Sequence, residues 1–335
     1  MKALVLTSYG KQIRQNVQII QVDKPKIGPG DVLIQIKAAG LNPVDYKMVY
    51  GNVKMVWNPP KPFPLGFDCA GVVVEKGAQV NDLNIGDEVY SRVPLKNTGT
   101  FAEYIAASAD VVALKPKNLS FAEAASLPLV AGTVMQSFAF FDINPGDKIL
   151  IHAGSGGVGS FAVQYARMLG ADVYTTTSTR NVQWVKDLGA KHVIDYSVAD
   201  YRESLPELDF VYDTLGNQYI NEAIPFIKKG GTIVSIAGAK DMSTLKELGV
   251  PWILRALVTI PTWFLKQKLK RKKKASYKYV LMVPNKNQLE ALSNLVEQGK
   301  IKAKIDREFS LNDAVEAMVY LEKGRAQGKV VIVME

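Results

Sequence analysis

The segment His152-Ala153-Gly154-Ser155-Gly156-Gly157-Val158-Gly159 constrains this chain more than any other. It follows the apolar run Lys148–Ile151 and precedes a helical pattern over Phe161–Leu169. Gly154, Gly156 and Gly159 satisfy G-x-G-x-x-G, with Gly157 and Val158 inside the turn. Between a strand and a helix, such glycines let the backbone turn tightly and approach a pyrophosphate, which then sits on the positive end of the helix. The plain alternative is a glycine-rich turn without a ligand. The strand before it and the helix after it favour a dinucleotide.

The next strand, Asp172–Thr176, leads into Thr177-Ser178-Thr179-Arg180. A site for NAD places Asp or Glu about 20 residues beyond the first glycine, where it bonds the ribose 2′-hydroxyl. Here hydroxyls and Arg180 stand instead, a set suited to a 2′-phosphate because a guanidinium meets its oxygens in a fork. NADP(H) is therefore expected over NAD(H), against the alternative of a polar turn that caps the following helix.

Further strands are expected at His192–Ile194, Phe210–Tyr212 and Thr232–Ile236, with helices between, and Tyr277–Val283 as the last. This rhythm predicts a doubly wound parallel sheet of the Rossmann type over 125–283, entered by a helix at Val130–Phe140. Asp213, Gly216, Ala237 and Gly238 fall at strand ends on its ligand-bearing edge, where they are expected near the ribose and nicotinamide; ordinary turn chemistry is the other reading. Residues 1–124 instead alternate apolar and polar residues in short strands (Val32–Ala38, Gly71–Val74, Glu88–Arg92) punctuated by Gly and Pro, which predicts a small, mostly antiparallel barrel. Residues 284–335, with helices at Lys286–Gln298 and Leu311–Glu322 and a strand at Lys329–Val333, are expected to return to it. The fold class is thus α/β with an added β-rich barrel domain.

One cysteine, Cys69, excludes an internal disulfide and a multi-cysteine zinc site, and suits a reducing, cytoplasmic setting. Met1–Tyr9 reads as a strand rather than a signal peptide, and no apolar run reaches the length of a membrane span. The formal charge of +9 is local. Lys266–Lys274 holds seven of the 41 basic residues and no acid, so the other 34 face 32 acidic ones and no nucleic-acid footprint is left.

The ordered segments Gly40–Lys47 (GLNPVDYK), Pro64–Gly77 (PLGFDCAGVVVEKG), Gly86–Tyr90 (GDEVY), Gly99–Tyr104 (GTFAEY), Glu123–Val134 (EAASLPLVAGTV), the glycine loop, Leu188–Tyr196 (LGAKHVIDY) and Gly324–Val331 (GRAQGKVV) carry a resemblance spanning nearly the whole chain. It resembles a medium-chain dehydrogenase/reductase, in particular the zinc-lacking quinone oxidoreductase and enone (2-alkenal) reductase branch. The resemblance implies a GroES-like barrel packed on a Rossmann domain, an active site in the cleft between them, and a homodimer. Zinc-dependent members carry Cys and His where this chain has Asn42 and Phe67, and neither replacement can ligate zinc. No metal site is therefore expected, and His152 and His192 are expected to be structural. Without a Lewis acid, hydride delivery to a quinone or an α,β-unsaturated carbonyl is the easier chemistry, because conjugation spreads the incoming charge onto oxygen.

The resemblance further implies that Asn42 presents a polar side chain to the nicotinamide and substrate, and that Lys47 borders the cofactor and donates to the developing enolate oxygen. A solvated surface lysine is the other reading of Lys47. Asp45 either orients its neighbours or stabilises a turn, and Tyr46 and Tyr50 line the pocket or simply pack. Thr133 matches a threonine near the nicotinamide and phosphate. Tyr196 and Arg325 match residues that flank the 2′-phosphate, joining Ser178 and Arg180.

Residues 240–276 form an insert relative to many quinone reductases. Within it, apolar 250–265 runs into the lysine-rich stretch, and Pro251 and Pro261 limit it to short helices. A cleft lid, a subunit interface and a peripheral membrane element through 250–274 are three open readings. The expected function is zinc-independent, NADPH-dependent reduction of a quinone or enone. An NADP(H) alcohol or aldehyde oxidoreductase is the alternative within the class, and a low-turnover, membrane-associated NADPH-binding protein the alternative outside it.

Overall fold

A computed structural model describes residues 1–247 and 249–334, Asn217 and Glu247 by their backbone alone. The chain divides into two compact units, Met1–Gly132 with Val283–Glu335, and Thr133–Met282.

In the second unit the strands His192–Asp195, Asp172–Thr177, Lys148–Ile151, Leu208–Asp213, Ile227–Ser235 and Ser276–Tyr279 lie in that spatial order, all parallel. Numbered along the chain this is the order 3-2-1-4-5-6, whose direction of winding reverses between Lys148–Ile151 and Leu208–Asp213. Leu150, Val211 and Ile233 are fully buried in its core, as expected of strands covered on both faces. The helix Gly157–Met168 buries Phe161, Ala162, Val163 and Ala166. The last strand stops at Tyr279, short of the expected Val283. The entering helix occupies Pro128–Phe138, its proline at the first turn, where a missing N–H costs nothing.

The first unit holds a three-stranded antiparallel sheet (Val17–Gln21, Lys2–Leu6, Phe63–Pro64) and a seven-stranded sheet. The latter is organised by the ten-residue strand Asp31–Gly40. One edge of that strand pairs with Asp68–Lys76. The other is shared by Tyr104–Ser108 over its first half and Lys329–Val333 over its end, where Gly40 faces Val331. This pairing carries the end of the chain alongside residues 38–40. Glycine is required at Gly71, since a Cβ there would meet the Gln35 carbonyl carbon at 2.9 Å. The core gathers Ile34, Ile36, Phe67, Val73, Phe101, Met318 and Ile332.

Candidate active site and dinucleotide cradle

The first candidate region lies at the carboxyl ends of the parallel strands, beside the reversal of winding. Ala153 takes up φ 53° as the chain leaves Lys148–Ile151, and Gly156 is the N-cap of the helix Gly157–Met168. No side chain caps this helix, and uncapped first-turn amides are donors suited to an anion. The three motif glycines differ in kind. A Cβ on Gly159 would overlap the Ala153 carbonyl oxygen and stand 2.8 Å from its carbon, and one on Gly154 would overlap the Thr175 hydroxyl. On Gly156 it would meet nothing nearer than 3.5 Å. Gly154 and Gly159 are thus packing glycines, whereas Gly156 keeps an open surface beside the uncapped helix end. Gly157 and Val158 are half-buried in the same turn. These features fit a bound pyrophosphate.

Thr177 pairs with Asp195 across the parallel strands Asp172–Thr177 and His192–Asp195, so Ser178 and Tyr196 leave adjacent strand ends. Tyr196 is exposed and its N–H donates to the Thr177 carbonyl at 3.1 Å; Arg180 follows in an exposed single turn. The register also brings Asp195, which sequence spacing does not link to Thr177. The Thr179 hydroxyl and the Ser197 N–H (2.8 Å) bond its carboxylate and hold it below the usual range.

At the reversal point, Asp213 is fully buried and occupied by the protein itself. It accepts from the N–H of Leu215 (3.1 Å), the N–H of Gly216 (3.0 Å) and the Ser235 hydroxyl (2.5 Å). Ser235 in turn accepts from the N–H groups of Ala237 and Gly238, at 3.2 and 2.7 Å. One carboxylate therefore shapes two neighbouring turns. Gly216, at φ 114°, is in a conformation that glycine alone adopts without strain. His152 is buried with Nδ1 3.5 Å from Asp213. Thr133 is buried in the entering helix.

The second candidate region lies in the β-rich unit. Asn42 is 1 % exposed, and its polar atoms are all engaged. Its N–H donates to Asp45 (2.6 Å), and its amide nitrogen donates to Asp68 (2.9 Å) and to the Gly40 carbonyl (3.3 Å). Its amide oxygen accepts from the Lys329 ammonium at 2.6 Å. Lys329 also donates to the Leu41 carbonyl (2.7 Å) and stands 3.8 Å from Asp68. Arg92 lies over the Phe67 ring, 4.5 Å from its centroid, and donates to the Val93 carbonyl. Burial pushes the Asp45 carboxyl up to about 8, against the Asn42 N–H that favours its charged form. Burial likewise raises Asp68, opposed by Lys329 and Asn42, and lowers Lys329, opposed by Asp68 and Asp45. The Cys69 thiol is raised by burial, the reverse of an activated nucleophile.

Asn42 and Asp45 stand at the start of the helix Pro43–Val49, and its exposed outer face carries Lys47. Sequence reasoning singles out Asn42, Asp45 and Lys47 and misses Asp68, Arg92 and Lys329. The available signal is a lysine opening the otherwise apolar strand Lys329–Val333, a position where burial demands partners. Arg325 is exposed in the turn before that strand, within the β-rich unit.

Residues 28–117 match the model described as the alcohol dehydrogenase GroES-like domain, and residues 188–332 the model described as zinc-binding dehydrogenase. The chain is 38% identical to the 2-methylene-furan-3-one reductase of Solanum lycopersicum, over 99% of this chain and 79% of that protein. It is 34% identical to the chloroplastic NADPH-dependent alkenal/one oxidoreductase of Arabidopsis thaliana, again over 99% and 79%. The structure of the quinone oxidoreductase from Coxiella burnetii superposes with a TM-score of 0.85 at 33% identity, covering 100% of this chain and 99% of that one. Asn42 and Phe67 offer neither thiolate nor imidazole, a cation already stands against Asn42 and Asp68, and no group of three His, Cys, Asp or Glu able to hold a metal occurs among the described residues.

Proposed function

This chain belongs to the medium-chain dehydrogenase/reductase superfamily, in its quinone and enone reductase branch, and on that footing we propose that it reduces quinones or α,β-unsaturated carbonyls with NADPH and without zinc. The observation that carries the reading is the cradle of the parallel-sheet unit: an uncapped helix end beside the open Gly156, with Ser178, Arg180 and Tyr196 at the neighbouring strand ends. The acceptor class rests on the kinship with reductases of furanones, alkenals and quinones.

The loop Gly154–Gly159 and the first turn of its helix hold the pyrophosphate. Ser178, Arg180 and Tyr196 hold the 2′-phosphate, with the permanent charge of Arg180 dominant. NADPH, when bound, supplies the hydride. Asp213 acts through the turns it organises, setting Gly216, Ala237 and Gly238 along the ribose and nicotinamide, and Thr133 closes the same stretch.

Hydride addition to a conjugated acceptor leaves negative charge on its oxygen. A donor aimed there lowers the barrier most, because the interaction strengthens as the charge develops. Lys47 is that donor. Asn42 and Asp45 are positioning residues, since the buried bond between them fixes the start of the helix that carries Lys47. The Lys329 ammonium bonds Asn42 and offsets the Asp68 carboxylate. We further assign the protein to the cytoplasm as a homodimer; one cysteine in 335 residues suits a reducing compartment. Among the described residues no helix is long and apolar enough to cross a membrane.

The test is oxidation of NADPH and NADH by the purified protein with chelator present, against simple quinones, short enones and 2-alkenals, with saturated aldehydes as controls. Chelator-resistant turnover of a quinone or enone that favours NADPH is expected. Turnover confined to aldehydes, or abolished by chelator and restored by zinc, refutes the reading.

A further inference from the structure

The insert carries an exposed apolar surface. Its helix Trp252–Val258 (WILRALV) has five large apolar residues out of seven, yet none of its residues is buried. A helix that is apolar on most sides belongs in a core or against lipid, and water is the one setting its composition does not suit. Trp252 is 70% exposed, and Leu257 59%. The adjoining helix Ile260–Lys273 continues the surface with Trp263 and Phe264, 56% and 62% exposed. It is tied to the parallel-sheet unit by its two buried residues, Thr262 and Leu269. Together these side chains expose several hundred Å² of apolar surface, the scale at which a patch marks an interaction site.

Charge separates along this helix rather than around it. Its first half is apolar, and its last turn and cap are Lys270, Arg271, Lys272, Lys273 and Lys274. Lys273 donates to the Pro225 carbonyl at 2.7 Å. Among the described residues, Lys270, Arg271, Lys272 and Lys274 form no salt bridge, and all four are at least partly exposed. Exposed Trp and Phe directly beside an unpaired cationic cluster match the two layers of a lipid surface, with the rings at the acyl boundary and the cations among anionic headgroups.

We propose that the face formed by Trp252–Val258 and Ile260–Lys274 docks this protein peripherally on an anionic lipid bilayer. The docking does not depend on the hydride-transfer reading, because none of these residues belongs to the cradle or to the Asn42 cluster.

The experiment is flotation of the full-length protein with phosphatidylcholine vesicles, with and without about one-third phosphatidylserine, at about 0.15 M salt, alongside tryptophan emission. Expected are partition onto the anionic vesicles only and a blue shift of emission. The triple variant K270E/R271E/K272E should lower that partition at least about 100-fold, given the contribution of each basic residue at such a surface. The double variant W263S/F264S should weaken partition about tenfold or more and diminish the shift. Both variants change exposed side chains, so unaltered NADPH oxidation and unaltered circular dichroism report an intact fold. No partition of the wild type onto anionic vesicles overturns the proposal, as does equal partition of wild type and both variants. Dissociation of a wild-type dimer by W263S/F264S in sedimentation velocity assigns the face to a second copy and overturns it too.

Discussion

The division of labour among the three motif glycines yields the sharpest prediction. Alanine at Gly159 places a methyl against the Ala153 carbonyl, with the Gly154 Cα 2.9 Å away; all the obstructing atoms are backbone and cannot rotate aside. Overpacking of this kind costs about 1–3 kcal/mol, and the rigidity of the obstruction argues for the upper end. Helix propensity returns up to about 1 kcal/mol, leaving a net loss near 2 kcal/mol. Alanine at Gly156 meets only one atom, at 3.5 Å, on a backbone of φ −78° and ψ 171° that alanine adopts freely. Its cost as a poorer N-cap, about 0.5–1 kcal/mol, is offset by a similar gain from a less flexible unfolded chain. G156A should therefore unfold in urea within about 0.5 kcal/mol of wild type, yet bind NADPH at least tenfold more weakly (about 1.4 kcal/mol), since its methyl stands where the pyrophosphate must reach the amides. Urea unfolding without cofactor, paired with titration of nicotinamide fluorescence, separates the two effects. The reasoning is refuted if G156A binds NADPH like wild type, or if G156A and G159A are destabilised equally.

Three further outcomes follow from the two regions. R180A should lower kcat/KM for NADPH about 10- to 100-fold and leave NADH nearly unchanged, the loss of one charge-assisted fork; a parallel fall for both cofactors would remove Arg180 from the 2′-phosphate. K329M should destabilise the protein by about 3–5 kcal/mol in urea, because it strips the cation from Asp68 and the donor from Asn42, with K329R recovering part of the loss; a K329M protein as stable as wild type would show that the cluster does not need the ammonium. Asp45 has its carboxyl raised from 3.8 to about 8, so the folded state holds the proton that the unfolded chain has already released between those values. Wild type should accordingly lose stability relative to D45N as pH rises through that window, by up to about 1.4 kcal/mol per unit, and level off above 8; parallel pH profiles of the two proteins would contradict a buried, protonated Asp45.

Much of the candidate site is legible in the order of residues. The glycine loop announces itself because backbone rules are local: a tight turn and a close approach need glycine wherever they occur. The strands of the parallel sheet are apolar runs at regular intervals, and their positions agree to within a few residues. The strand expected over Tyr277–Val283 ends early because its partner strand Ile227–Ser235 runs out opposite Tyr279. Asp195 escapes detection as a neighbour of Thr177 because register between parallel strands is set by long crossovers, which spacing along the chain does not encode. Asp213 falls at a strand end as expected, but its bond to the Ser235 hydroxyl depends on two segments meeting.

By itself, then, the order of residues determined the two kinds of architecture, the dinucleotide cradle, its polar strand end and the absence of thiolate and imidazole at Asn42 and Phe67. These are matters of local conformation and of chemical identity, both read directly from residue types. Only the tertiary structure decided that Lys329 reaches Asn42 across 287 residues, that Asn42 is fully engaged within the protein, and that the apolar insert faces outward. Burial and partnership are properties of surfaces brought together by folding, and residues far apart in the chain carry no local mark of which neighbours they will meet.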